Sequence, residues 1–409
     1  MRAVCFVNRL EFELSGNVFP NAMTLGDVDN DGHHELILGS TDGNLSIFKA
    51  EKKWQTINGL GMITAVCVGD LFNCGKNALV LVCGDGWCQI FFAGLTKSDG
   101  TSRKLALVHV QRIPANTKVA LIRDIDGDGC NELVLGLTDR VVRSYRWIVQ
   151  NADMSNPENG KLLCLNKWEC TNQIGTVTLH HYGEDGAPCL LVAQPGGTYM
   201  KISCLIRESE DAANIDSEDL LTSSLVDYHP LASSHMRNPN VSTEIVGDIE
   251  PPEVAKKSPK TKRYAVATLD GTLMLVEDEE ILWSIQVDHQ LFSLTKLSLT
   301  GGNGGGDNIV ACSWDGQTYI LDQEKQSVRF QLDEHVCGFC SGYYSITLDH
   351  PPSPCLVYTT FTNKIYVYYD VKIPGMVMKS CVPYGNIGLK LDNKQRRELT
   401  EWILYGKKK

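Results

Sequence analysis

Two short segments of the chain gather the oxygen ligands of hard-metal chemistry. The first is Asp27-Val28-Asp29-Asn30-Asp31-Gly32-His33-His34-Glu35, and the second is Asp124-Ile125-Asp126-Gly127-Asp128-Gly129-Cys130-Asn131-Glu132. Carboxylates at loop positions 1, 3, 5 and 9, around a glycine at 6, can converge on one hard cation. The backbone carbonyl at position 7, from His33 or Cys130, adds another oxygen. The expected metal sets are therefore Asp27, Asp29, Asp31, His33 and Glu35, and Asp124, Asp126, Asp128, Cys130 and Glu132. Calcium accepts such irregular all-oxygen sets, and magnesium is more demanding about octahedral geometry, so calcium or magnesium is expected at one or both loops. The pattern is not an EF-hand, which needs Glu at position 12 where this chain has Leu38 and Leu135. The alternative is that the carboxylates only form Asx turns in a solvent loop. Four crowded acids repel one another, which favours a cation.

Other chemistry has little support. There is no Gly-x-Ser-x-Gly elbow and no phosphate loop, because Gly301–Gly306 lacks the following Lys-Ser/Thr. Cys337 and Cys340 form a lone Cys-x-x-Cys, and a zinc site needs a second ligand pair. His33-His34 and His180-His181 have no matching constellation of carboxylates or thiols. A catalytic metal needs an open position and a nearby base. A non-enzymatic protein is expected.

A repeated unit positions the acidic loops. A short apolar strand, a tight turn and an alternating strand recur around Asp42-Gly43, Asp85-Gly86, Asp139-Arg140, Gly196-Gly197, Asp270-Gly271, Asp315-Gly316 and Thr362-Asn363. The apolar strand must be buried on both faces. Asp-Gly or Gly-Gly supplies the positive φ that the turn demands. Seven such units predict seven blades that close into a ring, an all-β propeller. Asp27 and Asp124 each stand fifteen residues before a turn. At that offset the other repeats lack the acids: the second keeps Asp70 but has Phe72, Cys74 and Ala78. Two repeats chelate at most.

Val4, Phe6, Leu10, Phe12 and Leu14 alternate with Arg9, Glu11 and Glu13. This N-terminal strand is expected to close the last blade by pairing near Tyr366–Tyr369. The propeller should span 1–378, with polar, flexible insertions at 207–240 and 250–263. In the tail, 379–409, Asp392 reads as an N-cap. Leu399, Trp402 and Ile403 share one helical face, and Gly406 is a stop, giving a short amphipathic helix.

The totals agree with a soluble repeat protein. The 409 residues exceed one ordinary core, a bound that repeats escape because each packs mainly on its neighbours. The net charge of −11 disfavours nucleic acid and anionic membranes as partners. No apolar run approaches a membrane span, and no secretory h-region opens the chain. The fifteen cysteines lie mostly in strand-like stretches and read as reduced thiols of a cytoplasmic protein.

The loop, strand and hairpin resemble the FG-GAP repeat of integrin α-subunit propellers, with Glu in place of Asp at position 9. A closer resemblance rests on the stretches 113–129, Thr268-Leu-Asp-Gly-Thr272, 287–292, 314–320 and Lys364-Ile-Tyr-Val-Tyr368. These are similar to the family of integrin-alpha FG-GAP repeat-containing protein 2, from residue 1 to about 370. That resemblance implies a subunit of the KICSTOR complex, beside a kaptin-like propeller and the other KICSTOR subunits. It also implies a cytoplasmic protein recruited to the lysosomal surface without inserting in the membrane. The complex would help place the GATOR-one regulator there and restrain the TOR kinase when amino acids or glucose are short. The alternatives are a small-molecule or nutrient sensor using the central channel, or a calcium-dependent adhesion-type module. In cytosol, loops with the affinity of extracellular modules, roughly 10⁻⁴–10⁻³ M, would be empty. The loops are then unusually tight, take magnesium, or stay empty.

Overall fold

A computed structural model describes residues 2–93, 104–149, 159–183, 185–204, 225–230, 240–252, 262–299, 306–347 and 349–373, with 392, 394–395 and 397–398. The side chains of 225–230 are not described. The described strands form seven sheets in chain order, the blades of a propeller, antiparallel except where Arg2–Ala3 joins one of them. Blades one to five occupy 18–57, 63–112, 117–169, 177–230 and 243–286. Blade six is 291–331 with Arg2–Ala3 added, and blade seven is 336–369 with Arg9–Glu13 added.

Sequence pattern and burial agree strand by strand. The second strands Glu35–Ser40, Ala78–Cys83, Glu132–Leu137 and Arg263–Thr268 are buried at every residue. A blade is packed on both sides, so this strand cannot afford an alternating pattern. Outer strands face solvent on one side and alternate, as Arg9–Glu13 does. The cores lie between blades. One cluster joins Val357 and Val367 of blade seven to Leu36, Leu38 and Phe48 of blade one and to Leu79, Leu81 and Phe91 of blade two.

The turn residues adopt the expected backbone. Gly43, Gly86, Gly271 and Gly316 have φ of +83°, +94°, +92° and +85°, and Arg140 and Asn363 reach +68° and +61°. Glycine serves a second purpose at Gly316. Its carbonyl accepts the Leu332 N–H at 3.1 Å, and a Cβ on Gly316 would stand 2.3 Å from the Leu332 carbonyl oxygen. The turn is thus pressed against the link to the next blade.

The N-terminal strand closes the ring at the expected place: Arg9 pairs with Tyr368, Glu11 with Tyr366 and Glu13 with Lys364. The first residues do something further. Arg2 and Ala3 pair in parallel with Val328 and Arg329 of blade six. The Phe6 ring lies 5.0 Å from Phe330 and 6.3 Å from Tyr368. One N-terminal stretch therefore bridges two blades.

The stretch 207–240 contains structure that its polar composition hid. Leu225–Pro230 is the outer strand of blade four, paired from Ser203↔Leu225 to Thr198↔Pro230. Leu225-Val226-Asp227-Tyr228-His229 is too short for its periodicity to stand out between polar flanks. A blade's third strand, however, has ladder groups that a fourth strand satisfies. Residues 207–224 and 231–239 of that insertion, and 253–261 of the second one, lie outside the described residues.

The compact propeller unit ends at Ile373, five residues before the expected boundary at 378. In the tail, Asp392 accepts the Gln395 N–H at 2.8 Å and Gln395 Oε1 accepts the Asp392 N–H at 3.1 Å. This reciprocal pair is the expected N-cap. Leu399, Trp402, Ile403 and Gly406 lie outside the described residues. No helix among the described residues is long and apolar enough to cross a membrane. The cysteines among them are free thiols.

Candidate functional site

Each acidic loop connects the inner strand of a blade to the second strand. The first carboxylate of the loop builds the turn. Asp27 accepts the N–H groups of Asp31 at 3.1 Å and Gly32 at 2.8 Å. Asp124 accepts those of Gly127 at 2.7 Å and Gly129 at 2.9 Å. Asp70 of blade two, which lacks the other acids, does the same for Cys74 at 3.0 Å and Gly75 at 2.7 Å. The turn therefore forms without a full acid set. Position 7 contributes N–H donors: His33 to Asp31 at 2.9 Å and Cys130 to Asp128 at 2.8 Å.

The loops also join neighbouring blades. The Asn77 N–H donates to Asn30 Oδ1 at 2.7 Å, and Asn77 Nδ2 donates to the Asp27 carbonyl at 2.9 Å. One blade further, the Asn131 N–H donates to Asn73 Oδ1 at 2.7 Å, and Asn131 Nδ2 to the Asp70 carbonyl at 3.0 Å. Position 4 of one loop meets position 8 of the next, so blades one, two and three are laced through their loops.

The carboxylates of each loop also lie close together. Ligand atoms of Asp27, Asp29 and Glu35 lie within 4.8 Å of one another, as do those of Asp124, Asp126 and Glu132. In each loop the carboxylates at positions 3, 5 and 9 meet on a basic side chain. Lys49 Nζ lies 2.6 Å from Asp29 Oδ2, 2.6 Å from Asp31 Oδ2 and 3.0 Å from Glu35 Oε1. In blade three the Arg146 guanidinium lies 2.6 Å from Asp128, 3.1 Å from Asp126 and 2.7 Å from Glu132. A calcium ion bound through these same oxygens, at roughly 2.3–2.6 Å, would compete with that nitrogen for them. The donor atoms suit a hard cation, and the oxygens that face Lys49 and Arg146 are already paired with one.

Electrostatics accounts for the arrangement. Burial works against a charge on Lys49, but its hydrogen bonds to Asp29, Asp31 and Glu35 outweigh that and raise its pKa. Burial pushes the Glu35 carboxyl up to about 7, against the Val28 N–H and Lys49. Glu132 is likewise pushed up to about 7 by burial, against the Ile125 N–H and Arg146.

Lys49 and Arg146 escaped the reading of the loops because they lie on the third strand, 22 residues after Asp27 and Asp124. A signal was present. Seven residues after the turn, the seven blades carry Lys49, Phe92, Arg146, Ser203, Glu277, Asp322 and Tyr369. Only the two blades with acidic loops are basic there.

Cavities among the described residues include two beyond the acidic loops. One of about 350 Å³ lies on the ring axis, lined by inner-strand residues including Thr24, Arg123, Thr178, Asp248 and Lys296. Lys296 donates to the Asp248 carbonyl and stands 3.9 Å from Asp307. The other, of about 380 Å³, lies between blades four and five beside His180, Tyr199, Lys201 and Tyr264. There the buried hydroxyls of Tyr199 and Tyr264 are 2.7 Å apart, and Lys201 Nζ lies 3.5 Å from the centre of the Tyr182 ring. His180 and His181 do acquire a carboxylate partner, Asp248, across the blade boundary: His181 Nδ1 is 2.9 Å from Asp248 Oδ2.

A seven-bladed ring with loops of this form is an FG-GAP-type β-propeller. The chain belongs to the family of integrin-alpha FG-GAP repeat-containing protein 2, whose model matches residues 48–373. It is 43% identical over 398 residues to the KICSTOR complex protein ITFG2 of Mus musculus, covering 92% of this chain and 87% of that protein. The protein of the same name from Bos taurus is 42% identical over 391 residues, covering 92% of this chain and 73% of that one. Among solved structures, BBS1N in complex with ARL6DN superposes with a TM-score of 0.61 at 13% identity, over 92% of this chain and 100% of that one. At that identity the likeness shows the propeller fold alone.

Proposed function

We propose that this chain is a non-enzymatic subunit of a KICSTOR-type complex and acts by holding partner proteins. The observation that carries this reading is the identity of 43%, spread over 92% of the chain, to a protein named for that complex. The geometry supports it. The acidic loops take part in turn formation, blade lacing and ion pairing, a structural use of these carboxylates. In this reading the chain is cytoplasmic and is recruited to the lysosomal surface by the other KICSTOR subunits, among them a kaptin-like propeller. There it helps place the GATOR-one regulator and so restrains TOR-kinase signalling when nutrients are short.

The test is gentle affinity purification of the full chain from cells, with the co-purifying proteins identified. KICSTOR subunits in constant ratio are the expected result. Recovery of the chain alone from both fed and starved cells would overturn the reading. Nutrient sensing keeps one observation, the axial cavity with Arg123, Asp248 and Lys296 on its wall. Binding of an amino acid or sugar to the purified chain, abolished by Lys296→Met, would favour it.

A further inference from the structure

We infer that Lys49 and Arg146 are built-in cations that replace the divalent ion of an FG-GAP loop, so that both acidic loops fold and brace the ring without metal. Three independent relationships carry this.

The first is position. Glu35 and Lys49 face each other across the hairpin, one step beyond the Leu36↔Phe48 pair. Glu132 and Arg146 stand in the same relation, one step beyond Leu133↔Tyr145. Two blades thus reach the same solution with two different basic residues.

The second is a blade with the pair but no acidic loop. In blade five the same two places hold Arg263 and Glu277, one step beyond Tyr264↔Val276. Their charges are reversed, and Arg263 Nε lies 2.5 Å from Glu277 Oε2. The loop before Arg263 carries Pro251, Pro252 and a lysine-rich run instead of spaced aspartates. An ion pair can therefore occupy this corner of the hairpin without spaced aspartates in the loop before it. Glu35 and Glu132 are members of that pair before they are ligands. The longer Glu, in place of Asp at position 9, fits a partner that comes from the adjacent strand.

The third is exclusion. The carboxylate oxygens of Asp29, Asp31 and Glu35 lie 2.6–3.0 Å from one nitrogen. A calcium ion sharing those oxygens would have to expel Lys49 from a place where it is only 13% exposed. A tethered ammonium pays no entropy of association and does not depend on the scarce free calcium of a cytosol. The set remains rich in oxygen: Asp29 Oδ1 is buried without a hydrogen-bond partner. Removing the lysine should therefore uncover a site that the wild-type chain keeps closed.

The experiment compares the full-length chain with Lys49→Met and Arg146→Met. Each is stripped with a chelator, assayed for bound metal, melted, and titrated with calcium by calorimetry and with terbium by luminescence. The wild-type chain is expected to hold no stoichiometric metal, to melt at the same temperature with and without chelator, and to give no terbium signal. Lys49→Met is expected to melt lower when stripped, to bind one calcium ion with a Kd below roughly 1 mM, and to recover part of the lost melting temperature. Wild-type chain that loses a bound ion and melting temperature on chelation would overturn the inference. So would a folded Lys49→Met that binds no calcium. If neither methionine variant folds, the wild-type metal content and its response to chelator decide the question alone.

Discussion

Glu35 and Arg263 stand at the same place in two blades, seven residues before the hairpin turn, and carry opposite charges. Each is buried, and each is answered across the hairpin by the complementary charge, Lys49 or Glu277. Breaking such a pair on one side leaves a charge stranded in a dry environment, at about 3–5 kcal/mol. Arg263→Met strands Glu277, whose side chain is 1% exposed, and also removes the bond from Arg263 Nη1 to Gln323 at 2.8 Å. The single variant should therefore lose on the order of 3 kcal/mol in denaturant unfolding. Exchanging the pair, Arg263→Glu with Glu277→Lys, copies the polarity of blade one and should recover more than half of that loss. A double variant no better than the single one would mean that the pairing is not what holds this corner.

These pairs also show what a sequence gives up easily and what it withholds. The ring was legible because Asp-Gly turns such as Asp42-Gly43 and Asp315-Gly316 obey local backbone rules, and local rules recur at fixed spacing. The closing strand was legible because Leu10 and Phe12 alternate with Glu11 and Glu13. Lys49 was not, because a basic residue at a strand end reads as solvated until the strand that faces it is known. The outer strand Leu225–Pro230 was hidden by its polar flanks. The aspartates were found by type and spacing, but their partner comes from another strand, and only the cross-strand register shows that the chain supplies its own cation.

Glycine at two turns should respond very differently to one methyl group. Gly271 and Gly32 both have left-handed backbones, at φ of +92° and +88°. A Cβ at Gly271 would stand 2.2 Å from the Val287 carbonyl oxygen, whereas one at Gly32 meets nothing within 4 Å. Gly32→Ala should cost only the backbone strain, about 1–2 kcal/mol. Gly271→Ala adds a clash with backbone that also carries the Val287 N–H bond to the Gly271 carbonyl at 2.9 Å. Its cost should exceed that of Gly32→Ala by at least about 1 kcal/mol in equilibrium unfolding. Equal losses would show that the link between blades gives way freely.

The N-terminal stretch should act as the clasp of the ring. The Phe12 ring lies 4.6 Å from that of Phe48 of blade one, tilted by 38°, while its strand completes blade seven. Phe12→Ala should cost about 3 kcal/mol at most, because Phe12 is only partly buried. Deleting residues 1–13 removes the whole outer strand of blade seven and the parallel pairing on blade six. That deletion should lower the melting temperature far more than Phe12→Ala and should expose Ile365 and Val367 to limited proteolysis. Adding residues 1–14 back as a peptide should restore part of the protection, which separates loss of the clasp from general misfolding.

Asp248 should make the junction of blades four and five sensitive to acid. Its carboxylate accepts the His181 N–H at 2.7 Å and lies 2.9 Å from His181 Nδ1. Burial alone would raise its pKa, but the hydrogen bonds and charge of His180 and His181 outweigh burial and hold it at about 2. Burial, in turn, lowers the pKa of His180 despite Asp248. A carboxyl whose folded pKa lies below its unfolded value of 3.8 stabilises the fold at every pH above that value. The stabilisation is lost as pH falls towards about 2, where the folded state also takes up the proton. A displacement of this size is worth on the order of 2 kcal/mol at neutral pH. Asp248 has φ of +52°, a conformation that asparagine tolerates, so Asp248→Asn removes the charge without straining the backbone. Urea unfolding of both proteins between pH 7 and pH 2.5 is the measurement. The wild-type advantage should be present at pH 5 and narrow as pH falls below 3.8 towards about 2. An advantage that persists unchanged to pH 2.5 would place the contribution of Asp248 in its shape and hydrogen bonds, not in its charge.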